Sequence, residues 1–209
     1  MSNLLQQLNA DMASVVGDVR QSLVQISTGR GHGAGTIWHA DGLIVTNAHV
    51  VEHARGPLTI TLPDGTERPA HVLARDPDHD LAALAVDAND LITAQLGNSK
   101  LVKAGQWVFA IGHPWGVLGA ASAGIIIGSG AEWPEMPLSG KDWIVVSLKV
   151  RPGNSGGPLV DVNGRLIGIN TLMTGPQVGV AIPVHTVKRF LRQSLGEARA
   201  KTPEPLTHL

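Results

Sequence analysis

Gly33-Ala-Gly-Thr-Ile-Trp-His-Ala-Asp-Gly-Leu-Ile-Val45 reads as a small-residue turn, a strand, a tight turn and a return strand. Thr36-Ile37-Trp38 and Leu43-Ile44-Val45 are β-branched, aromatic or aliphatic, and Asp41-Gly42 between them accepts the positive φ that a hairpin turn demands. The same grammar returns in Ser155-Gly-Gly-Pro-Leu-Val-Asp-Val-Asn-Gly-Arg-Leu-Ile167, where Gly157 and Gly164 repeat the spacing of Gly35 and Gly42. Two similar β units are therefore expected, with their boundary near residues 95–104.

Outward from these hairpins, short β-rich runs continue from Leu23 to Ile182, with further turn chemistry at Pro63-Asp64-Gly65. Roughly a dozen strands fit, so the body is expected to be all-β. Before it, Leu4, Leu5, Leu8, Met12, Val15, Val16 and Val19 recur at spacings of three and four, one apolar stripe on a helix. That stripe suits docking on its own domain or contact with another subunit. After Pro183 a second helix carries Val184, Val187, Leu191 and Leu195 on one side and ends at Gly196. The segment 197–209, with two prolines and no periodicity, reads as a tail.

Composition narrows the function. Sixteen Lys+Arg against 17 Asp+Glu leave a net charge of −1, which gives no pull toward a phosphate backbone, so nucleic acid is not expected as a partner. There is no Cys, which removes disulfides, thiol nucleophiles and cysteine-ligated zinc. No apolar run approaches the ~18 residues of a membrane span. Met1-Ser2-Asn3 followed by Gln6, Gln7, Asn9 and Asp11 lacks the basic start and apolar centre of an export signal, so a cytoplasmic location is expected.

The chemistry concentrates in Arg151-Pro-Gly-Asn-Ser-Gly-Gly-Pro-Leu159. A hydroxyl flanked by glycines lets the chain turn sharply, expose the oxygen and aim backbone N–H groups at a developing oxyanion. Serine needs a base to take its proton and a carboxylate to fix that base's tautomer. Thr46-Asn-Ala-His49-Val-Val51 offers the imidazole and Asp76-Pro-Asp-His-Asp80-Leu-Ala82 the carboxylate. Asp76 and Asp78 compete for that role from the turn around Pro77, but only Asp80 abuts an apolar strand. His32, His39, His71, His79, His113 and His185 show no ligand spacing and read as structural or surface residues.

Taken in order, these motifs, with Leu96-Gly-Asn-Ser99, Ile111-Gly-His-Pro-Trp-Gly116, Leu166-Ile-Gly-Ile-Asn-Thr171 and Val180-Ala-Ile-Pro183, resemble a trypsin-like serine protease of the HtrA/Deg branch over residues 20–195. The resemblance implies two six-stranded antiparallel β-barrels with an N-terminal and a C-terminal helix: helix 1–20, first barrel 21–100, second barrel 101–183, helix 184–196 and tail 197–209. It implies Ser155 as nucleophile, His49 as base and then acid, and Asp80 as the orienting carboxylate. Gly153 and Ser155, with Asn154 between them, would form the oxyanion hole. Val150, Leu172 and Met173 would wall the primary specificity pocket and favour a medium aliphatic residue. Lys149, six residues before Ser155, would favour acidic residues if it pointed inward. The resemblance also implies protein or peptide substrates, no metal or organic cofactor, and trimer contacts through the N-terminal segment.

Three departures from the family pattern stand out. Residues 196–209 are too few for the peptide-binding PDZ domain that often follows, the opening lacks the export signal of most relatives, and Ser147-Leu-Lys-Val-Arg151 is bulkier and more basic than usual before the nucleophile. Two rivals remain. His49-Val-Val-Glu52-His53 matches a helical H-x-x-E-H zinc motif, although Gly56-Pro57 follows too soon for a sustained helix. The other is a protease fold kept as a peptide-binding or scaffold module with little turnover.

Overall fold

The computed structural model describes residues 2–29, 31–52, 54, 57–131 and 140–196, apart from the side chains of Ser2 and Leu172. The tail expected at 197–209 and His53 of the zinc motif lie outside the described residues. Helix α1 spans Ser2–Arg20. Strands β1 (Leu23–Ser27), β2 (His32–His39), β3 (Leu43–Thr46), β4 (Leu58–Thr61), β5 (Glu67–Asp76) and β6 (Leu81–Val86) follow, with the one-turn helix α2 (Ala48–Glu52) between β3 and β4. They close into an antiparallel barrel in the order β1-β2-β3-β6-β5-β4. Strands β7 (Trp107–Gly112), β8 (Ala120–Gly130), β9 (Trp143–Ser147), β10 (Pro158–Asp161), β11 (Leu166–Gly175) and β12 (Val178–Pro183) close a second barrel, and α3 (Val184–Leu195) follows.

The second barrel runs β10-β11-β12-β9-β8-β7 around its ring. Counted from its first strand, this is the same circular order as in the first barrel. Yet the two echoing hairpins do not occupy equivalent places: Gly33–Val45 builds the second and third strands of one barrel, whereas Ser155–Ile167 builds the fourth and fifth of the other. The echo is common hairpin chemistry, because any β-run closed by an Asx-Gly turn carries it.

Alternation along the strands explains the cores. Val24, Ile26, Ile37, Ile44, Ile60 and Leu84 fill the first barrel, and Val108, Ile126, Ile144, Leu159 and Ile167 fill the second. Side chains on the outward faces that meet between the barrels, among them Trp38, Leu81, Trp143, Leu166 and Ile182, form a shared core that α3 covers with Val184, Val187, Phe190 and Leu191. Each such burial is worth about 1.5–3 kcal/mol, which holds the two barrels as one body.

The N-terminal stripe divides. Met12, Val15, Val16 and Val19 pack on Phe109, Ile111 and Val160, while Leu4, Leu5 and Leu8 stay exposed. Periodicity marks one apolar face but not what covers each part of it.

Candidate active site

Strand β3 ends at Thr46, Asn47 follows, and both side chains are buried. Thr46 Oγ1–H donates to the Ala34 carbonyl at 2.7 Å, and Asn47 Nδ2–H donates to the Asp80 carbonyl at 3.0 Å. This fixes where α2 begins and hence where His49 stands. Asp80 ends the turn before β6 with φ 54°, a left-handed conformation that aspartate tolerates better than most residues. Its carboxylate then faces His49: Nδ1–H of the ring donates to Oδ2 at 2.8 Å and the His49 backbone N–H donates to Oδ1 at 3.0 Å. Thr171 Oγ1–H donates to the same Oδ2 at 2.5 Å. Burial alone raises the Asp80 carboxyl, but the hydrogen bonds from His49 and Thr171 outweigh it and leave the group below the ordinary aspartate value.

Ser155 sits at the far side of the same cleft. Its Oγ–H donates to the Thr171 carbonyl at 3.1 Å rather than to the His49 ring. Thr171 therefore touches both ends of the constellation, hydroxyl on Asp80 and carbonyl on Ser155. Sequence reading had quoted Thr171 within a motif but gave it no role; its position next to the strand residues Leu172 and Met173 was the available signal.

The glycines around Ser155 are forced by their surroundings. Gly153 has φ 99°, and a Cβ there would lie 2.3 Å from the His113 carbonyl oxygen. Gly156 has φ 84°, and a Cβ there would lie 2.1 Å from the Ala34 carbonyl oxygen and 2.2 Å from Thr46 Oγ1. The loop is thus pressed against both barrels. The Ala34 N–H donates to the Ser155 carbonyl at 2.9 Å, and Thr36 Oγ1–H donates to the Gly156 carbonyl at 3.2 Å.

Within this loop the N–H groups divide into two sets. Asn154 N–H donates to the Arg151 carbonyl, Gly156 N–H to Asn170 and Gly157 N–H to Asn154. Among the described hydrogen bonds, those of Gly153 and Ser155 donate to nothing in the chain. Two neighbouring free donors beside a hydroxyl can hold a charged oxygen. The Asn154 side chain is buried, facing Gly112, and so supports the loop from behind.

A cleft of about 510 Å³ joins these groups, lined by His49 and Ser155 together with His32, Val150, Arg151 and Met173. Val150 is buried at its wall. Lys149 is exposed and does not line the cleft. Arg151 does, with its guanidinium 4.1 Å from the centre of the Trp115 ring, a stacking that sequence reading did not foresee.

The competing groups have other partners. Asp76 accepts from the His79 ring at 2.7 Å and from the His79 N–H at 3.0 Å, so it serves its own turn. The Asp78 carbonyl accepts from Lys141. Helix α2 is described over Ala48–Glu52, His53 lies outside the described residues, and no cluster of metal-binding side chains occurs among the described residues.

A family model described as a trypsin-like peptidase domain matches residues 33–169. A protein of Chlamydia trachomatis serovar D named "Probable periplasmic serine endoprotease DegP-like" is 36% identical over 172 residues, which is 80% of this chain and 34% of that protein. One of the same name from Pseudomonas fulva is 42% identical over 139 residues, 66% of this chain and 28% of the relative. The solved structure of the HtrA-type protease AlgW with tripeptide is similar at TM-score 0.80 and 33% identity, covering 90% of this chain and 64% of that one. The chain spans about a third of the length of the curated relatives it matches. Their names also correct the cytoplasmic expectation, since both relatives are named periplasmic. The opening residues carry no weight on that point, because a chain matching a third of its relatives need not begin where they do.

Proposed function

The chain belongs to the trypsin-like peptidase family in its HtrA/DegP-like branch, and from that premise we propose that it is a serine endopeptidase acting on unfolded or exposed protein segments through an acyl-enzyme on Ser155. The observation that carries the reading is the juxtaposition of Asp80, His49 and Ser155 with the two free N–H groups of Gly153 and Ser155.

A peptide laid along the cleft brings its carbonyl carbon to Ser155. The Ser155 hydroxyl rotates from the Thr171 carbonyl toward His49 Nε2. Oγ attacks the carbonyl carbon, its proton passes to Nε2, and the carbonyl electrons move to oxygen. The Gly153 and Ser155 N–H groups receive that oxyanion, while Asp80 holds Nδ1–H and stabilises the imidazolium. Collapse breaks the C–N bond as Nε2 returns its proton to the leaving nitrogen. Water then repeats the sequence on the ester and frees the second product. In the first half the proton comes from Ser155 and in the second from the water, and in both His49 carries it while Asp80 and the two N–H groups balance the charge.

Val150 is buried and lines the cleft before the nucleophile together with Met173, while the Leu172 side chain lies outside the described residues; an aliphatic residue before the scissile bond, worth about 1.5–3 kcal/mol on burial, should dominate recognition. Lys149 is exposed and does not line the cleft, which supports the aliphatic reading, while Arg151 is the cation that does line it. The exposed Leu4, Leu5 and Leu8 would pack between copies in a trimer, and the names of the relatives favour work in the periplasm.

A second reading, a peptide-binding module with little turnover, draws on one observation: the Ser155 hydroxyl bonds Thr171 rather than His49. Cleavage of a denatured protein mixture by the wild type and by Ser155→Ala, with the cut sites sequenced, separates the two. Cuts after Val, Ala, Leu or Ile that vanish in the variant support the endopeptidase. Identical fragment patterns contradict it, and acidic cuts lost in Lys149→Ala contradict the aliphatic pocket.

A further inference from the structure

Arg151 stands four residues before Ser155 and lines the same cleft. Val150 packs into the core of the second barrel with Leu148, whereas the next side chain, Arg151, is half-buried with its guanidinium 4.1 Å from the centre of the Trp115 ring. Among the described residues Arg151 forms no ion pair, and no Asp or Glu lines the cleft. The other ionisable side chains on the described lining are His32 and His49, so Arg151 is the only permanent charge on that part of the wall.

The ring beneath the guanidinium is held in an uncommon way. Trp115 has φ 53°, a left-handed conformation that bulky side chains rarely adopt, and it is 68% exposed, so no core packing accounts for the strain. The tight turn Pro114–Gly116 that carries it closes through the Gly116 N–H on the His113 carbonyl at 3.1 Å and the Val117 N–H on the Pro114 carbonyl at 2.9 Å. That turn is fixed to the nucleophile loop. The His113 N–H donates to the Gly153 carbonyl at 2.8 Å, and a Cβ on Gly153 would come within 3.0 Å of Pro114 Cα. Trp115 and Ser155 each lie two residues from the ends of this contact, so the ring that carries Arg151 is braced against the nucleophile.

We propose that Arg151, steadied on Trp115, is a specificity-determining residue that takes the side-chain carboxylate of a substrate Asp or Glu, at a position flanking the scissile bond rather than the one seated against Val150. Stacking covers one face of the guanidinium and leaves its N–H edges clear of the ring, the geometry that receives a carboxylate through two parallel hydrogen bonds. The ring also removes freedom that a loose arginine would lose on binding, and a peptide lying in the cleft excludes water from the pair and strengthens it. A carboxylate brings the counter-charge that no described lining residue provides. The assignment rests on the peptidase reading given above and deepens it: the preferred segment carries an aliphatic residue at the cut and an acidic one close by.

The test uses quenched fluorescent peptides with both ends blocked and Val at the cleaved position. A single Glu, or Gln in its place, is moved through the three positions before the Val and the three after the bond. With the full chain, kcat/KM should favour Glu over Gln about tenfold at one of these positions. The ratio should fall to near one in Arg151→Gln and to an intermediate value in Trp115→Ala. Both peptides meet the same enzyme, so the ratio does not depend on how much active protein a variant yields. A wild-type ratio near one at every position, or one that Arg151→Gln leaves unchanged, overturns the assignment; a ratio that Trp115→Ala leaves unchanged overturns the part given to the ring. Better cleavage of a peptide with Glu in place of the Val, lost in Arg151→Gln, would put the cation in the primary pocket and also overturn it. Fluorescence anisotropy with Ser155→Ala reads the same preference as a ratio of dissociation constants, without chemistry. A Glu preference there that disappears on adding Arg151→Gln, beside a wild-type chain that neither cleaves nor labels with a fluorophosphonate, would count against the peptidase reading and leave the Arg151 assignment standing.

Discussion

Asp80 takes two hydrogen bonds from His49, one from the ring Nδ1–H at 2.8 Å and one from the backbone N–H at 3.0 Å. The second bond places the first: with the backbone of α2 held, the ring presents Nε2 to the cleft. Asp80→Asn keeps the size but can return an N–H toward Nδ1, favouring the wrong tautomer. A fall of ~10⁴ in kcat is expected. Parallel peptide-cleavage kinetics on Asp76→Asn and Asp78→Asn check it, and neither should lose comparable activity.

Acid should loosen the fold through the same carboxylate. The folded Asp80 group lies below its ordinary value, so the unfolded chain binds its proton first. Its stabilisation is therefore complete above the unfolded aspartate range and is lost as pH falls through the lower folded value. Thr171→Val removes the donor to Oδ2 and brings the folded value up toward the unfolded one, so its urea midpoint should start lower at neutral pH and fall by less on acidification than that of the wild type. Urea titrations between about pH 7 and pH 3 measure this. Coincident pH profiles would contradict it.

At Gly156 there is no room for a methyl group. With φ 84° and backbone oxygen 2.1 Å from the would-be Cβ, Gly156→Ala should cost about 2–4 kcal/mol and reduce turnover by shifting Ser155. Gly65→Ala, also at positive φ but facing nothing within 4 Å, should cost less. Denaturant midpoints of the pair separate contact from backbone strain.

How much of this was readable beforehand varied with the physics. Strand hairpins and the all-β body follow from period-two patterning and Asx-Gly turns, which are local, whereas the paired barrels were implied only by the resemblance to the HtrA/Deg branch. Choosing Asp80 over Asp76 and Asp78 relied on its place at the edge of Leu81-Ala82, and the structure brings that carboxylate to His49. Thr171 was missed because it works through a carbonyl and a hydroxyl across 91 positions of sequence, which no spacing rule encodes. The hairpin echo misled for the opposite reason, since a shared local pattern says nothing about position in a ring.

The exposed end of α1 makes a separate expectation testable. Val19 is buried against the second barrel, whereas Leu4, Leu5 and Leu8 face solvent. Replacing those three leucines by Glu should lower the mass seen by light scattering to that of a monomer while the melting temperature of the protease body changes little. Equal masses for variant and wild type would remove the subunit contact.

The central claim is that Ser155 is an activated nucleophile. Labelling with a fluorophosphonate, followed by mass spectrometry of the intact chain and its peptides, measures this directly. The wild type should take up one label on Ser155, with the label absent in Ser155→Ala and its rate cut by orders of magnitude in His49→Ala. A wild-type chain that stays unlabelled, or that labels equally well in His49→Ala, would contradict it.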